Sequence, residues 1–572
     1  MIRKNLRWMA ALVLATNLAV FTPTGLLADQ KNSKPAPDPE TTTPIKHVVV
    51  IYQENISFDH YFGTYPHAEN NPGEIPFHAK DDTPRVNNLE SAGLLTNNNN
   101  TNSTGTQVNP FRIPPSVPVT CDNDHDYNDE QFAFHSGLMD RWLTPLTSLG
   151  ETGSVSCADP VLGPNTAMGY FDGNTVQAMW NYAQHFALSD NSFSTTFGPS
   201  SPGAINLISG NTFAATLFPT KANGKPASAG DQVAGVAANP SVTVGALIGD
   251  ARPHLDDCVQ TTAGLAGANQ VTMSGKNVGD LLNAKGITWG WFQGGFAPTG
   301  TTSPGNLAIC GQHHSGLAGD DALTQSSDGD YIPHHEPFQY YASTVNPHHT
   351  RPSDAGLIGT SSDGANHQYD ITDFMTALDE GRLPTVSFLK APAFEDGHPG
   401  YSDPIDEQFF VVNIINQVMQ SKFWKDTAII IAYDDSDGWY DHQMSPIVNQ
   451  SDSTGDDQLI TSGVSTGNCG TPQPVGASST IQNGRCGYGP RQPLLVISPF
   501  AKQNYVDHRI TDQSSILRFI EDNFSLGRIG NGSADAIAGR LNGMFDFDDS
   551  QRAPALILDP TTGVVIQNGG NH

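Results

Sequence analysis

Cysteine is scarce in this chain and cations are few. Its 572 residues include six cysteines, Cys121, Cys157, Cys258, Cys310, Cys469 and Cys486, with no C-x-x-C pair among them. That spacing excludes the paired-thiolate zinc modules. Lys and Arg number 28 against 58 Asp and Glu, a net charge of −30. A surface so acidic repels nucleic acid and anionic membranes at long range, so neither is an expected partner. It does not bar an anionic substrate, because one bound metal inverts the local field. Beyond the first residues no segment holds about 18 consecutive apolar residues, so no stable membrane anchor is expected. There is no internal repeat and no clean linker between two cores.

The start of the chain has a leader's pattern. Arg3, Lys4 and Arg7 precede a short apolar run from Met9 to Phe21, and Leu27-Ala28 stands before Asp29 like a small-residue cleavage site. Residues 1–28 are therefore expected to be a cleaved signal peptide, placing the mature chain in the periplasm or outside the cell. Arg3 is followed by Lys4, so the twin-arginine route is not indicated. An exported chain with six cysteines has room for three disulfides. Cys469 and Cys486 bracket a Gly/Ser/Pro-rich loop and are the expected pair.

Residues 29–44 are polar and Pro-rich, a flexible lead-in. Short buried strands are expected at Ile45–Tyr52, Phe186–Ser189, Ile287–Phe292, Thr385–Leu389, Ala428–Tyr433 and Leu494–Ile497. Helical patterns lie near 174–185, 276–284, 370–380, 405–421 and 512–523. Strands alternating with helices predict an α/β fold, a mostly parallel central sheet flanked by helices. Three biased stretches, near 96–106, 220–275 and 448–488, read as surface insertions on one core spanning 45–525, the second with the alternative of a small cap subdomain. Residues 526–572 read as a polar C-terminal tail.

Two segments share an unusual ending. VVVIYQEN (48–55) and IIIAYDD (429–435) are apolar β-rich runs that stop on charge, at Glu54-Asn55 and Asp434-Asp435. In a parallel sheet ligands bind just beyond the carboxyl ends of strands. Three carboxylates and an amide at one edge form a hard-oxygen set suited to a divalent cation such as Mg²⁺, Ca²⁺ or Mn²⁺. For either pair alone helix capping is the simpler explanation; two pairs in one chain favour a site. TTFGPSSPGAINLISG (195–210) then places Ser200 or Ser201 where a helix begins. A serine there is by default a cap, but the free N–H groups and positive dipole also suit a nucleophile meeting an anion. His125, His334, His335 and His398 fall in loop-like sequence and are candidates to ligate a metal, hold an anion or protonate a leaving group.

The stretch ENISFDHYFGTYP resembles the signature of the bacterial phosphoesterase family that holds haemolytic and non-haemolytic phospholipases C and the AcpA-type acid phosphatases. The resemblance continues through DHDYNDEQ, TFGPSSPGAINLISG, HHEPFQYY, GHPGYSD, IIIAYDDSDGWYDH and GPRQPLLVISPFAKQNYVDH, spanning roughly 45–525. It implies a core similar to alkaline phosphatase and arylsulfatase. It implies Glu54, Asn55, Asp434 and Asp435 as metal ligands, and Ser200 as a nucleophile that also touches the metal. His125, His335 and His398 would surround the phosphoryl group, with Asn55 contacting it. Ile56 replaces the family's usual basic residue, Asp435 stands where phospholipases often have Glu, and Ser200 where they carry Thr. The GPSSPGA and YDDSDG forms and the short C-terminal remainder look closer to the acid phosphatases. The expectation is a secreted, metal-dependent acid phosphatase that cleaves phosphomonoesters through a phosphoserine. One rival is a phospholipase C with an aromatic cage drawn from Trp289, Trp291 and Phe292; the other is a non-catalytic exported protein that binds phosphate or metal.

Overall fold

The computed structural model describes residues 40–143, 159–218, 233–234, 244–262, 269–316, 329–448, 458–461, 464–468, 487–548 and 552–568. The expected signal peptide, most of the expected lead-in and the expected Cys469–Cys486 pairing lie outside them. A nine-stranded sheet organises the chain. Its strands are β1 (His47–Gln53), β2 (Ala187–Phe193), β3 (Trp289–Gln293), β4 (Gln368–Asp370), β5 (Val386–Lys390), β6 (Thr427–Tyr433), β7 (Arg491–Ile497), β8 (Tyr505–Asp507) and β9 (Thr511–Asp512). The order is β4-β3-β5-β1-β6-β7-β2-β8, with β9 also on β2. Every pairing is parallel except the two made by β7. Each of the six expected strands coincides with one of these. Their unbroken apolar runs follow from burial on both faces: all seven residues of β6 are buried, and all but the first of β1.

Helices flank the sheet where the sequence places caps. α1 is Phe58–Phe62, α2 Tyr127–Phe134, α3 Gln177–His185, α4 Ser200–Ser209, α5 Val278–Lys285, α6 Ile371–Asp379, α7 Pro404–Gln420 and α8 Gln513–Asn523. Asn277 with Asp280, Asp370 with Asp373, and Asp512 with Ser515 form reciprocal capping boxes at α5, α6 and α8. Asp403 caps α7 ahead of Pro404, whose missing N–H costs nothing at that position.

Three segments differ from expectation. Residues 213–273 carry a second, five-stranded sheet, yet its Ala215, Leu217, Leu247, Val271 and Met273 join the main core, so among the described residues the sheet forms no separate core. Within the 96–106 stretch Asn98 and Asn100 are buried, and the Asn100 amide accepts from the Trp142 N–H at 2.9 Å and donates to the Met139 carbonyl at 3.1 Å. The segment after 525 is no free tail: Leu541, Met544, Leu556 and Leu558 enter the main core, and Asn416 of α7 bonds both backbone groups of Leu558. Cys258 and Cys310 form a disulfide. No described helix is long and apolar enough to cross a membrane.

Candidate active site

The site lies past the carboxyl ends of β5, β1 and β6, three adjacent parallel strands. Glu54 follows β1, and its N–H donates to the Asp396 carbonyl at 3.1 Å. Asn55 takes a left-handed backbone, φ 59°, which asparagine tolerates better than most residues. This turn lets the Asn55 N–H reach Asp434 Oδ1 at 3.0 Å and the Ile56 N–H reach the Asp435 carbonyl at 3.0 Å. The chain leaving β1 is thereby pinned to the end of β6 before α1 begins.

Ser200 is the first residue of α4, and its hydroxyl lies 3.2 Å from both Glu54 Oε2 and Asp435 Oδ2. The helix approaches the strand end closely: a Cβ on Gly203 would meet the Asp434 carbonyl oxygen at 2.1 Å. Ser201 faces elsewhere, toward Tyr340 Oη at 3.3 Å and the His334 carbonyl at 3.4 Å. Glu130 of α2 ties the two loops together, accepting from the Gly198 N–H at 2.8 Å and from Ser436 Oγ at 2.6 Å. Burial pushes its carboxyl up to about 7 against the lowering effect of those bonds.

The expected histidines converge on the same edge. His335 Nδ1 is 3.1 Å from Glu54 Oε1, while the neighbouring His334 turns toward Asp250, 3.8 Å away. His398 sets Nδ1 2.6 Å from the Pro399 carbonyl, which places its proton there and leaves Nε2 to accept from Asn55 Nδ2 at 3.1 Å. His125 likewise anchors Nδ1 on the Asn123 carbonyl at 2.7 Å, with Nε2 3.9 Å from Asp435 Oδ2. Burial, reinforced by the Lys390 charge, depresses the pKa of His335, and burial depresses that of His398. Burial also opposes charging His125, but Asp435, Asp122 and Asp437 outweigh it and hold this imidazole well above its ordinary value.

Three participants are absent from the sequence expectation. Lys390, the last residue of β5, lies against Glu54 Oε1 and donates to Asp434 Oδ2 at 3.3 Å. Asp437 accepts from Asn55 Nδ2 at 2.9 Å and from Asn123 Nδ2 at 3.1 Å. Asp396 accepts from the His398 N–H at 3.0 Å. Lys390 had the signal used for Glu54 and Asp434, a charge ending an apolar strand.

The donor set fits a divalent cation. Burial, then like-charge repulsion from Asp434, raises the Glu54 carboxyl far above its usual range; burial raises Asp435 too, with His125 opposing. Buried carboxylates that face one another need a cation between them. Asn55 Oδ1 is buried with no hydrogen-bond partner, as expected of an oxygen reserved for a metal. Asp434 is more fully engaged: Oδ1 accepts the N–H groups of Asn55 and Asp435, and Oδ2 accepts from Lys390.

The carboxyl edge of this α/β sheet thus gathers carboxylates, one serine at a helix start and three imidazoles, a set of groups suited to ester cleavage. The chain belongs to the Phosphoesterase family, whose model matches residues 45–527. It is 23% identical over 523 residues to a non-hemolytic phospholipase C of Pseudomonas aeruginosa, covering 91% of this chain and 59% of that one. A Mycobacterium tuberculosis protein, phospholipase C A, is 23% identical over 531 residues, covering 89% of this chain and 79% of its own. The chain thus spans about three-fifths of the length of the Pseudomonas relative. A solved protein of the alkaline phosphatase superfamily from Vibrio parahaemolyticus aligns over 73% of this chain and 74% of its own, at 12% identity and a TM-score of 0.24. At that score the alignment adds nothing to the fold seen in the sheet order itself.

Proposed function

We propose that the protein is an exported, metal-dependent phosphoester hydrolase acting on phosphate monoesters through Ser200. The observation that carries this reading is the Ser200 hydroxyl, held at a helix start 3.2 Å from each of two carboxylates. A divalent ion held by Glu54, Asn55, Asp434, Asp435 and Ser200 would supply charge neutralisation for the phosphoryl oxygens. The Ser200 Oγ–H bond faces Glu54 and Asp435, one of which takes its single proton as Oγ attacks phosphorus. The P–O bond to the alcohol breaks in line with the attack. His125, at the mouth of the site with 11% of its side chain exposed, donates a proton to the leaving oxygen. His335, His398 and Asn55 orient the phosphoryl group. Water then cleaves the phosphoserine, returning Ser200 and releasing phosphate. Positioning and electrostatics carry most of the barrier reduction in such chemistry.

The relatives' names favour a second reading, a phospholipase C. The aromatic cage proposed for it from Trp289, Trp291 and Phe292 is not available, because all three are fully buried in the main core. The test compares initial rates on p-nitrophenyl phosphate and phosphatidylcholine, before and after chelation and metal add-back. Metal-dependent monoester cleavage with little lipid cleavage supports the first reading. A dominant lipid rate replaces it with the second, and no rate on either leaves a binding pocket or a narrow enzyme whose substrate is neither of the two.

A further inference from the structure

Lys390 ends β5, and Glu54 and Asp434 directly follow the adjacent strands β1 and β6. A lysine among these carboxylates is buried as completely as they are, at 1% side-chain exposure. Its Nζ lies against Glu54 Oε1, 3.3 Å from Asp434 Oδ2 and 5.4 Å above the Tyr52 ring. The same corner holds His335 Nδ1, 3.1 Å from Glu54 Oε1 and 3.9 Å from Asp396 Oδ2. Glu54, His335 and Asp396 each present one ligand atom within 4.8 Å of the others. His335 Nε2 is buried with no hydrogen-bond partner. An imidazole and three carboxylates form a ligand set that takes Zn²⁺ readily. A fixed ammonium in their midst repels any such ion.

We propose that Lys390 is a resident cation occupying what would otherwise be a second metal site, built from Glu54, Asp434, Asp396 and His335. The lysine restricts the edge to the single ion on the Ser200 side, and for that first ion the inference rests on the function proposed above. It divides the work of Glu54: Oε1 turns to the ammonium, and Oε2 is left for Ser200. It also offsets part of the anionic charge permanently, because a side chain cannot be chelated away.

The experiment compares the parent chain with Lys390→Met and Lys390→Arg. Each is equilibrated with Zn²⁺, dialysed against the same low free zinc, and analysed for metal per chain. The Met variant should retain one zinc more than the parent, whatever the parent's own count, and the Arg variant should match the parent. Adding Asp396→Asn to Lys390→Met should remove the additional zinc. Equal counts in the parent and the Met variant overturn the proposal, as does an extra ion indifferent to Asp396. If Lys390→Met unfolds on purification, excess zinc should restore a cooperative thermal transition, and failure to restore it also overturns the proposal. A parent with no zinc beside a variant with one refutes the metal reading of the Ser200 side and leaves Lys390's role standing.

Discussion

Two buried charge clusters, one around Glu54 just before α1 and one around Asp59 within it, are built on opposite terms. In the second, Asp59 and Asp441 face Arg491 and His442. All five guanidinium N–H groups of Arg491 are spent: Nε on Asp441, Nη1 on the carbonyls of Asn87 and Asp190, Nη2 on Asp59 and Asp441. His442 Nδ1 meets Asp59 Oδ2 at 2.6 Å, so two anions are matched by two cations. In the first, Glu54, Asp434, Asp435, Asp396 and Asp437 outnumber the one lysine and the imidazoles, and Asn55 Oδ1 and His335 Nε2 lack hydrogen-bond partners. Asp59, Asp441 and His442 also lie close enough to hold a metal, but Arg491 already fills that role. A buried cluster whose charges and hydrogen bonds balance holds the fold together. One left short of cations is arranged for a ligand.

The contrast breaks first at Ser200. Ser200→Ala should lower kcat/KM on a phosphomonoester by at least about a thousandfold. Its thermal midpoint should stay near the parent's; comparable activity in the purified variant would remove Ser200 as nucleophile. The Arg491 cluster should show the reverse pattern. Arg491→Met strands two buried carboxylates, so urea unfolding should report a loss of about 3–5 kcal/mol, with turnover per folded molecule largely kept.

A smaller effect sharpens the electrostatics of the Arg491 cluster. Burial opposes protonation of His442, but the Asp59 carboxylate outweighs it and raises the imidazole's pKa. A histidine raised in the fold adds stability that is complete below its unfolded value of about 6.5 and is lost as pH rises through the folded value. His442→Asn should therefore flatten the decline of unfolding free energy across that window; an unchanged slope would assign the decline to other groups. The smallest change is expected at Ser201, whose hydroxyl faces Tyr340 rather than the carboxylates. Ser201→Ala should hold kcat within a few-fold of the parent.

Much of this arrangement is legible in the sequence, for identifiable reasons. Strands buried on both faces read as plain apolar runs, and a charge closing such a run is conspicuous, so β1 and β6 and the residues that end them stand out. The serine at the start of α4 is marked by the Gly-Pro turn before it. Lys390 is less visible because a lysine after a strand ordinarily reaches solvent along its aliphatic stem. Only the sheet order, with β5 beside β1, shows that this one cannot. Glu130 hides within an acidic stretch, and its role depends on two loops far away in sequence. The burial of Leu541, Met544, Leu556 and Leu558 is invisible for a similar reason: isolated apolar residues in a polar segment acquire meaning only from the surface they meet. The second sheet, rich in Gly, Ala and Thr, lacks the contrast between faces that would announce strands.

The central position of β1 has a consequence for how the molecule comes into being. Its partners on the two sides begin at Val386 and Thr427, so the first strand made waits for neighbours made very late. Until then VVVIY is an unpaired apolar edge, prone to association with other chains. Folding dominated by such distant pairings is slow. A fragment ending before β6 would carry Glu54 and Ser200 without ever assembling the site.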